Sequence, residues 1–284
     1  MSAEDSTDVV SYEVIDRVAW VRLNRPEYRN AQNSALLYAL DAAFKRAADD
    51  DDVKVIVLSG NGPSFSAGHD IGTPGRDVNE PQERRSLWPD HTNKEGAERR
   101  FGREDEVYLG LCRRWRELPK PTIAMVHGHC IGAGLMLAWV CDLIVAAEGT
   151  QFGDPVVQMG VGGVEYFAHP WEMKPRLAKE FLMLGQRIDA RRAYEIGMVN
   201  RVFPLDELEA ETRAIAEGIA KMPRFALALV KRAVNTAEDA MGLRVGMEAA
   251  FGLHHLAHAH NVEMGQDLIG GQSVRSMRAQ AGST

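Results

Sequence analysis

Four short apolar runs that do not alternate constrain this chain more than any other feature. Residues 18–23, 53–58, 122–126 and 143–147 are rich in Val, Ile, Leu and Ala on successive positions. A strand with one wet face alternates apolar and polar, so runs without alternation predict strands buried on both faces, as in a parallel sheet. Residues 199–203 predict a short fifth strand. Between the first two runs, Leu36, Leu37, Leu40, Ala43, Phe44 and Ala47 recur at helical spacing. Further helices are predicted over residues 103–118 and from Ala133 to just before Asp142. Strand, helix, strand in this order calls for right-handed crossovers, and the predicted class is α/β.

After Pro204 the pattern becomes helical, over residues 205–222, 225–237 and 243–260. This divides the chain into a core of residues 1–204 and a helical C-terminal subdomain of residues 205–284. Residues 73–100 interrupt the core with a polar, Pro- and Gly-containing stretch carrying Trp88. At that length it reads as a lid or a mobile loop.

Composition excludes several classes. Of the 284 residues, 45% are apolar and 26% charged, as in soluble globular proteins. A net charge of -7 argues against a general nucleic-acid binder. No apolar run reaches membrane-span length, and the acidic start, residues 1–8, does not read as a signal peptide. Cys112, Cys130 and Cys141 lack metal-type spacing and read as buried thiols in a reducing compartment, with cytoplasm as the expectation.

Two glycine-containing turns carry the functional signal. Phe65-Ser66-Ala67-Gly68-His69-Asp70-Ile71 follows the second strand, and Gly128-His129-Cys130-Ile131-Gly132-Ala133-Gly134 follows the third. Both leave carboxyl ends of adjacent strands, where open α/β sheets gather ligands. One backbone donor from each turn would make an oxyanion hole. Neither turn has dinucleotide or phosphate-loop spacing. Either alone reads as an ordinary tight turn; it is the pair that points to a ligand.

These residues resemble the crotonase superfamily, the enoyl-CoA hydratases and isomerases. The likeness covers Leu23-Asn24-Arg25-Pro26 through Asn30-Ala31, both glycine turns, Cys141-Asp142-Leu143, Phe152-Gly153-Asp154-Pro155 and Ala193-Tyr194-Glu195-Ile196-Gly197. The resemblance implies a spiral of ββα turns with a helical C-terminal trimerisation subdomain, assembled as a homotrimer or a dimer of trimers. It implies an acyl-CoA thioester as substrate and no cofactor beyond the coenzyme A that the substrate carries. The oxyanion donors would be the amides of His69 and Ala133. Arg29 would meet CoA phosphates, and Ala67 and Ile71 would lie along the adenine and pantetheine path. Arg275 and Arg278 are further phosphate candidates.

The resemblance also exposes a departure. Hydratases of this family use two glutamates, and at those positions this chain has Met136 and Val156. Neither side chain moves a proton, so isomerase- or hydrolase-type chemistry is favoured over hydration. Glu165, in the following loop, is the expected general acid/base, with burial raising its pKa. A solvent-facing or interface ion-pair role for Glu165 is the alternative, and a non-catalytic acyl-CoA carrier is the alternative for the whole protein. Asp154 and Asp70 are expected to be structural, the former by turn or cap duty. His127 and His129 are expected to pack or to hydrogen-bond, and Glu104, Glu106 and Tyr108 to lie on a solvated helix face, with one of these three supplying a missing acid as the alternative. His254, His255, His258 and His260 cluster, and His254 with His258 has metal-pair spacing. No third ligand is evident, so a helix face or subunit contact is expected and no metal site.

Overall fold

The computed structural model describes residues 5–7, 9–78, 80, 84–88 and 90–266. Seven strands form the main sheet. Asp5–Thr7, Val10–Ile15 and Val18–Leu23 run antiparallel, and Val18–Leu23, Val55–Gly60, Thr122–Val126, Leu143–Ala147 and Arg201–Phe203 run parallel in that order. The second strand begins at Val55, two residues later than its apolar run, and the fifth at Arg201.

Every residue of Val55–Gly60 and Thr122–Val126 is buried, so both faces are dry at the centre of this sheet, which accounts for the missing alternation. Val21, Ile56, Leu58, Ala124 and Val126 face a core shared with the Ser34–Asp49 helix through Leu36, Leu40 and Phe44. Val18, Trp20, Val55, Val57 and Ile123 face a second core, covered by Leu208, Ala216 and Ala220 of the Leu208–Ala220 helix. Burying a side chain of this size contributes about 1.5–3 kcal/mol, so filling both faces fixes the strand order.

A second sheet lies beyond the carboxyl ends of the main strands. His129–Ile131 pairs in parallel with Gln151–Gly153, which pairs antiparallel with Arg187–Asp189. These strands have three residues each and mixed polarity, so no periodicity announces them.

Three described residues of the 73–100 stretch, Asp77, Arg85 and Ser86, hydrogen-bond to helices of the core. Asp77 accepts hydrogen bonds from the Ser34 and Ala35 amides at 2.6 and 2.7 Å, serving the start of the Ser34–Asp49 helix. Glu106 accepts from the Arg85 and Ser86 amides and from the Tyr38 hydroxyl. Burial would raise the Glu106 carboxyl, but these donors outweigh it and hold it below the usual range. Glu106 is therefore an anchor. The predicted 103–118 helix begins earlier, as Gly96–Glu104, widens into a π-helical Asp105–Gly110, and resumes as Leu111–Arg116. A Cβ at Gly110 would come within 2.3 Å of the Asp105 carbonyl oxygen, so glycine closes the wide turn. Among the described residues no helix is long and apolar enough to cross a membrane.

Candidate active site

The two glycine turns are stitched to each other. Ser66 donates its amide to His129 O at 3.0 Å and accepts from Ile131 N at 3.1 Å, forming a parallel bridge with Cys130 between them. On its other side the first turn meets residues 29–32: Ala67 N donates to Arg29 O, and Gln32 N to Gly68 O. The Ser66 hydroxyl donates to Asn30 O and accepts from the Gln32 amide group. Gly68 has φ +93°, and a Cβ there would stand 3.2 Å from the Ala133 amide nitrogen and 2.8 Å from Ile131 O. The first turn thus presses against the amide of the second. Among the described residues, neither the His69 nor the Ala133 amide donates a hydrogen bond.

Both residues line one cavity of about 930 Å³, together with Arg29, Ala67, Ile71 and Glu165. All six residues singled out from the sequence therefore face the same space. Val156 is also in its wall. Met136, by contrast, is buried in the main core at 1% exposure. Arg76, Arg100 and Arg103 give the cavity a basic side.

Glu165 is 4% exposed, and its Oε2 lies 2.9 Å from His69 Nε2. The His69 ring stacks on Tyr108 with centroids 3.6 Å apart. Burial pushes the Tyr108 hydroxyl up to about 12. His254 Nε2 stands 3.7 Å from Glu165 Oε1 and 3.3 Å from Glu104 Oε2. The expected upward shift of Glu165 is overturned. Burial does work in that direction, but His69 and His254 beside it outweigh burial and hold the carboxylate below its ordinary range. Burial works against charge on His254, and Glu104 and Glu165 overcome it, lifting His254 to about 9. The histidines of the C-terminal helix were expected on a helix face or a subunit contact; His254 and His258 instead line the cavity.

The loop carrying Glu165 is held by Asp154. This carboxylate is fully buried and accepts from Val164 N at 3.1 Å and from His169 Nε2 at 3.0 Å. It makes no cap hydrogen bond to the turn that follows, so the expected cap duty is replaced by a clamp on the neighbour of Glu165. Removing one partner of a buried pair costs about 3–5 kcal/mol. Asp154→Ala is expected to lose that much in urea unfolding, and an unchanged midpoint would show the clamp to be dispensable.

Asp70 pairs with Arg25 at 3.0 Å in a buried setting and accepts from the Thr73 amide at 3.0 Å. Burial opposes its charge, but Thr73 and Arg25 hold the carboxyl below the usual range. A depressed folded pKa means the contribution is complete above the unfolded value, about 3.9, and is lost as pH falls. Asp70→Asn should accordingly flatten the acid limb of stability against pH. An acid limb identical to that of the parent protein would contradict this. His127 Nε2 bonds Gly62 O at 2.8 Å, and His129 Nδ1 approaches the Ser64 hydroxyl at 3.4 Å. Arg275 and Arg278 lie outside the described residues.

Comparison with known proteins decides the family. The family described as Enoyl-CoA hydratase/isomerase matches residues 13–268. The chain belongs to the enoyl-CoA hydratase/isomerase family. A relative named "Putative enoyl-CoA hydratase EchA13", from Mycobacterium tuberculosis, is 46% identical over 260 residues, covering 89% of this chain and 81% of that one. A probable enoyl-CoA hydratase from Mycobacterium smegmatis has a solved structure with TM-score 0.82 and 45% identity, covering 90% of this chain and 96% of that one. Another from Mycobacterium thermoresistibile gives TM-score 0.81 and 47% identity, covering 90% and 99%. The α/β fold expected for a crotonase is the one shared with these structures. As a member of this enoyl-CoA hydratase/isomerase family the chain is an enzyme.

Within the family site, sequence reasoning passed over Glu104 as a helix-face residue. It lies on the cavity wall, 6% exposed, facing three histidines of the Leu243–Glu263 helix. The signal that could have found it is a buried-type position bearing a carboxylate just before a break in helical phase.

Proposed function

We propose that this enzyme holds an acyl-CoA thioester with its carbonyl oxygen between the amides of His69 and Ala133. Glu165 then moves a proton at a carbon near that carbonyl, in isomerisation, hydrolysis or ring opening rather than hydration. One observation carries the reading. A buried carboxylate lines the same cavity as two amides that donate to nothing among the described residues, and it bonds the imidazole of a residue that supplies one of them. The two hydratase positions oppose hydration: valine stands in the wall at one and a core methionine at the other.

Arg29 meets the CoA phosphates, with Ala67 and Ile71 along the adenine and pantetheine path, and CoA itself is the only carrier required. The exposed apolar side chains Phe225, Leu229, Val230 and Val234 on the Arg224–Ala240 helix favour assembly as a homotrimer or a dimer of trimers. Mass in solution by light scattering tests that, and a monomer at micromolar concentration would refute it.

The chemistry is tested by incubating the protein with short, long and cyclic acyl-CoA esters in D2O. Deuterium should enter next to the carbonyl, while crotonyl-CoA hydration run in parallel stays at background. Rapid hydration would overturn the choice of reaction. Micromolar binding of every ester with neither exchange nor release of free CoA would instead support an acyl-CoA carrier.

A further inference from the structure

We propose that Glu104, His254 and His258 form a binding site for one divalent transition-metal ion of the zinc class, open to the acyl cavity. The inference stands apart from the role given to Glu165. It starts from convergence. His254 and His258 sit at i and i+4 on the Leu243–Glu263 helix, so their rings share a face. Their Nε2 atoms meet tip to tip at 2.9 Å, with ring planes at 82°. Glu104 Oε2 is 3.3 Å from His254 Nε2, and its Oε1 is 3.7 Å from His258 Nε2. Ligand atoms held at about 2.1 Å around one tetrahedral ion stand about 3.4 Å apart. The three separations bracket that spacing.

The outer contacts point the same way. His254 Nδ1 lies 2.9 Å from the carbonyl oxygen of Gly163, which can only accept, so the ring donates there. In the neutral imidazole this leaves the Nε2 lone pair aimed at the cluster, the arrangement of a metal-ligating histidine. Glu104 Oε2 is buried and accepts no hydrogen bond of good angle, although imidazole nitrogens of His254 and His255 stand 3.3 and 3.2 Å away. Glu104 and nearby Glu165 set two carboxylates in one buried place beside these rings. A divalent cation balances them. All three proposed ligands line the cavity, so remaining coordination positions face the acyl group. The third ligand is hidden in the sequence because Glu104 comes from another helix, Gly96–Glu104, remote in the chain.

The test uses the full-length protein, stripped with chelator and titrated with Zn2+ against a chromophoric competitor. One Zn2+ per chain should bind below about 1 μM, within the range of protein zinc sites. Glu104→Gln and His258→Asn should each weaken binding about 100-fold or more, while exposed His260→Asn leaves it unchanged. Circular dichroism of each variant checks the fold. Co2+ on the unmodified protein gives a readout that needs no variant: strong visible d–d bands of a low-coordinate nitrogen/oxygen site are expected. Weak octahedral bands, or Zn2+ affinity insensitive to Glu104→Gln and His258→Asn, would overturn the site in favour of a proton-sharing ion-pair cluster. Glu165→Gln keeps all three ligands, so loss of turnover there and loss of metal in Glu104→Gln are separate outcomes.

Discussion

Ala133→Pro is expected to lower turnover about 10²–10³-fold, or about 3 kcal/mol of barrier, while leaving the fold and CoA affinity near normal. The substitution removes a single atom of function. Ala133 is the first residue of the Ala133–Trp139 helix, and its amide donates to nothing among the described residues. Proline is well tolerated at that helical position because the missing N–H has no partner inside the helix. An oxyanion donor would vanish with it. The rate of proton exchange next to the carbonyl should fall with little change in KM. A bound conjugated enoyl thioester should also lose the red shift that carbonyl polarisation produces. Unchanged exchange and unchanged absorbance would show that this amide does not hold the carbonyl. Gly68→Ala should give a similar loss by a different route, since its new Cβ would crowd the same nitrogen and sit at φ +93°.

Glu165→Gln is expected to cost about 10²–10⁴-fold in turnover, the usual worth of a positioned acid or base. Glutamine keeps the size of the side chain and can still meet His69, so the loss isolates the charge and the proton site. The depressed pKa means the resting side chain is a carboxylate, the form a base requires. In this variant the red shift of a bound enoyl thioester should persist, because both amides remain. The two variants are therefore expected to split the site: Ala133→Pro loses carbonyl polarisation, and Glu165→Gln loses proton movement. A Glu165→Gln enzyme with full turnover would remove Glu165 from the chemistry.

The main sheet was legible in the sequence because burial on both faces leaves a mark at every position, as in Val55, Ile56, Val57 and Leu58. The amphipathic helix at Ser34–Asp49 was legible for the matching reason, one buried stripe. The small sheet was not, since three-residue strands such as Gln151–Gly153 hold too few side chains to set a period. At the site, the two turns could be read because glycine and small residues are required where backbone approaches backbone. The charge state of Glu165 could not, because the groups that settle it, His69 and His254, come from remote parts of the chain. Met136 and Val156 looked equivalent in sequence, yet one lies in packed core and the other in the cavity wall.

The π-helical turn at Asp105–Gly110 has a consequence for insertions and deletions. Such a turn holds one residue more than an α-helical path of the same course. Deleting one residue within it would therefore let the helix run on regularly, with Glu104 upstream and Leu111 downstream keeping their facing. A relative one residue shorter here would therefore present nearly the same side chains to its ligand, with the wide turn closed to an ordinary one.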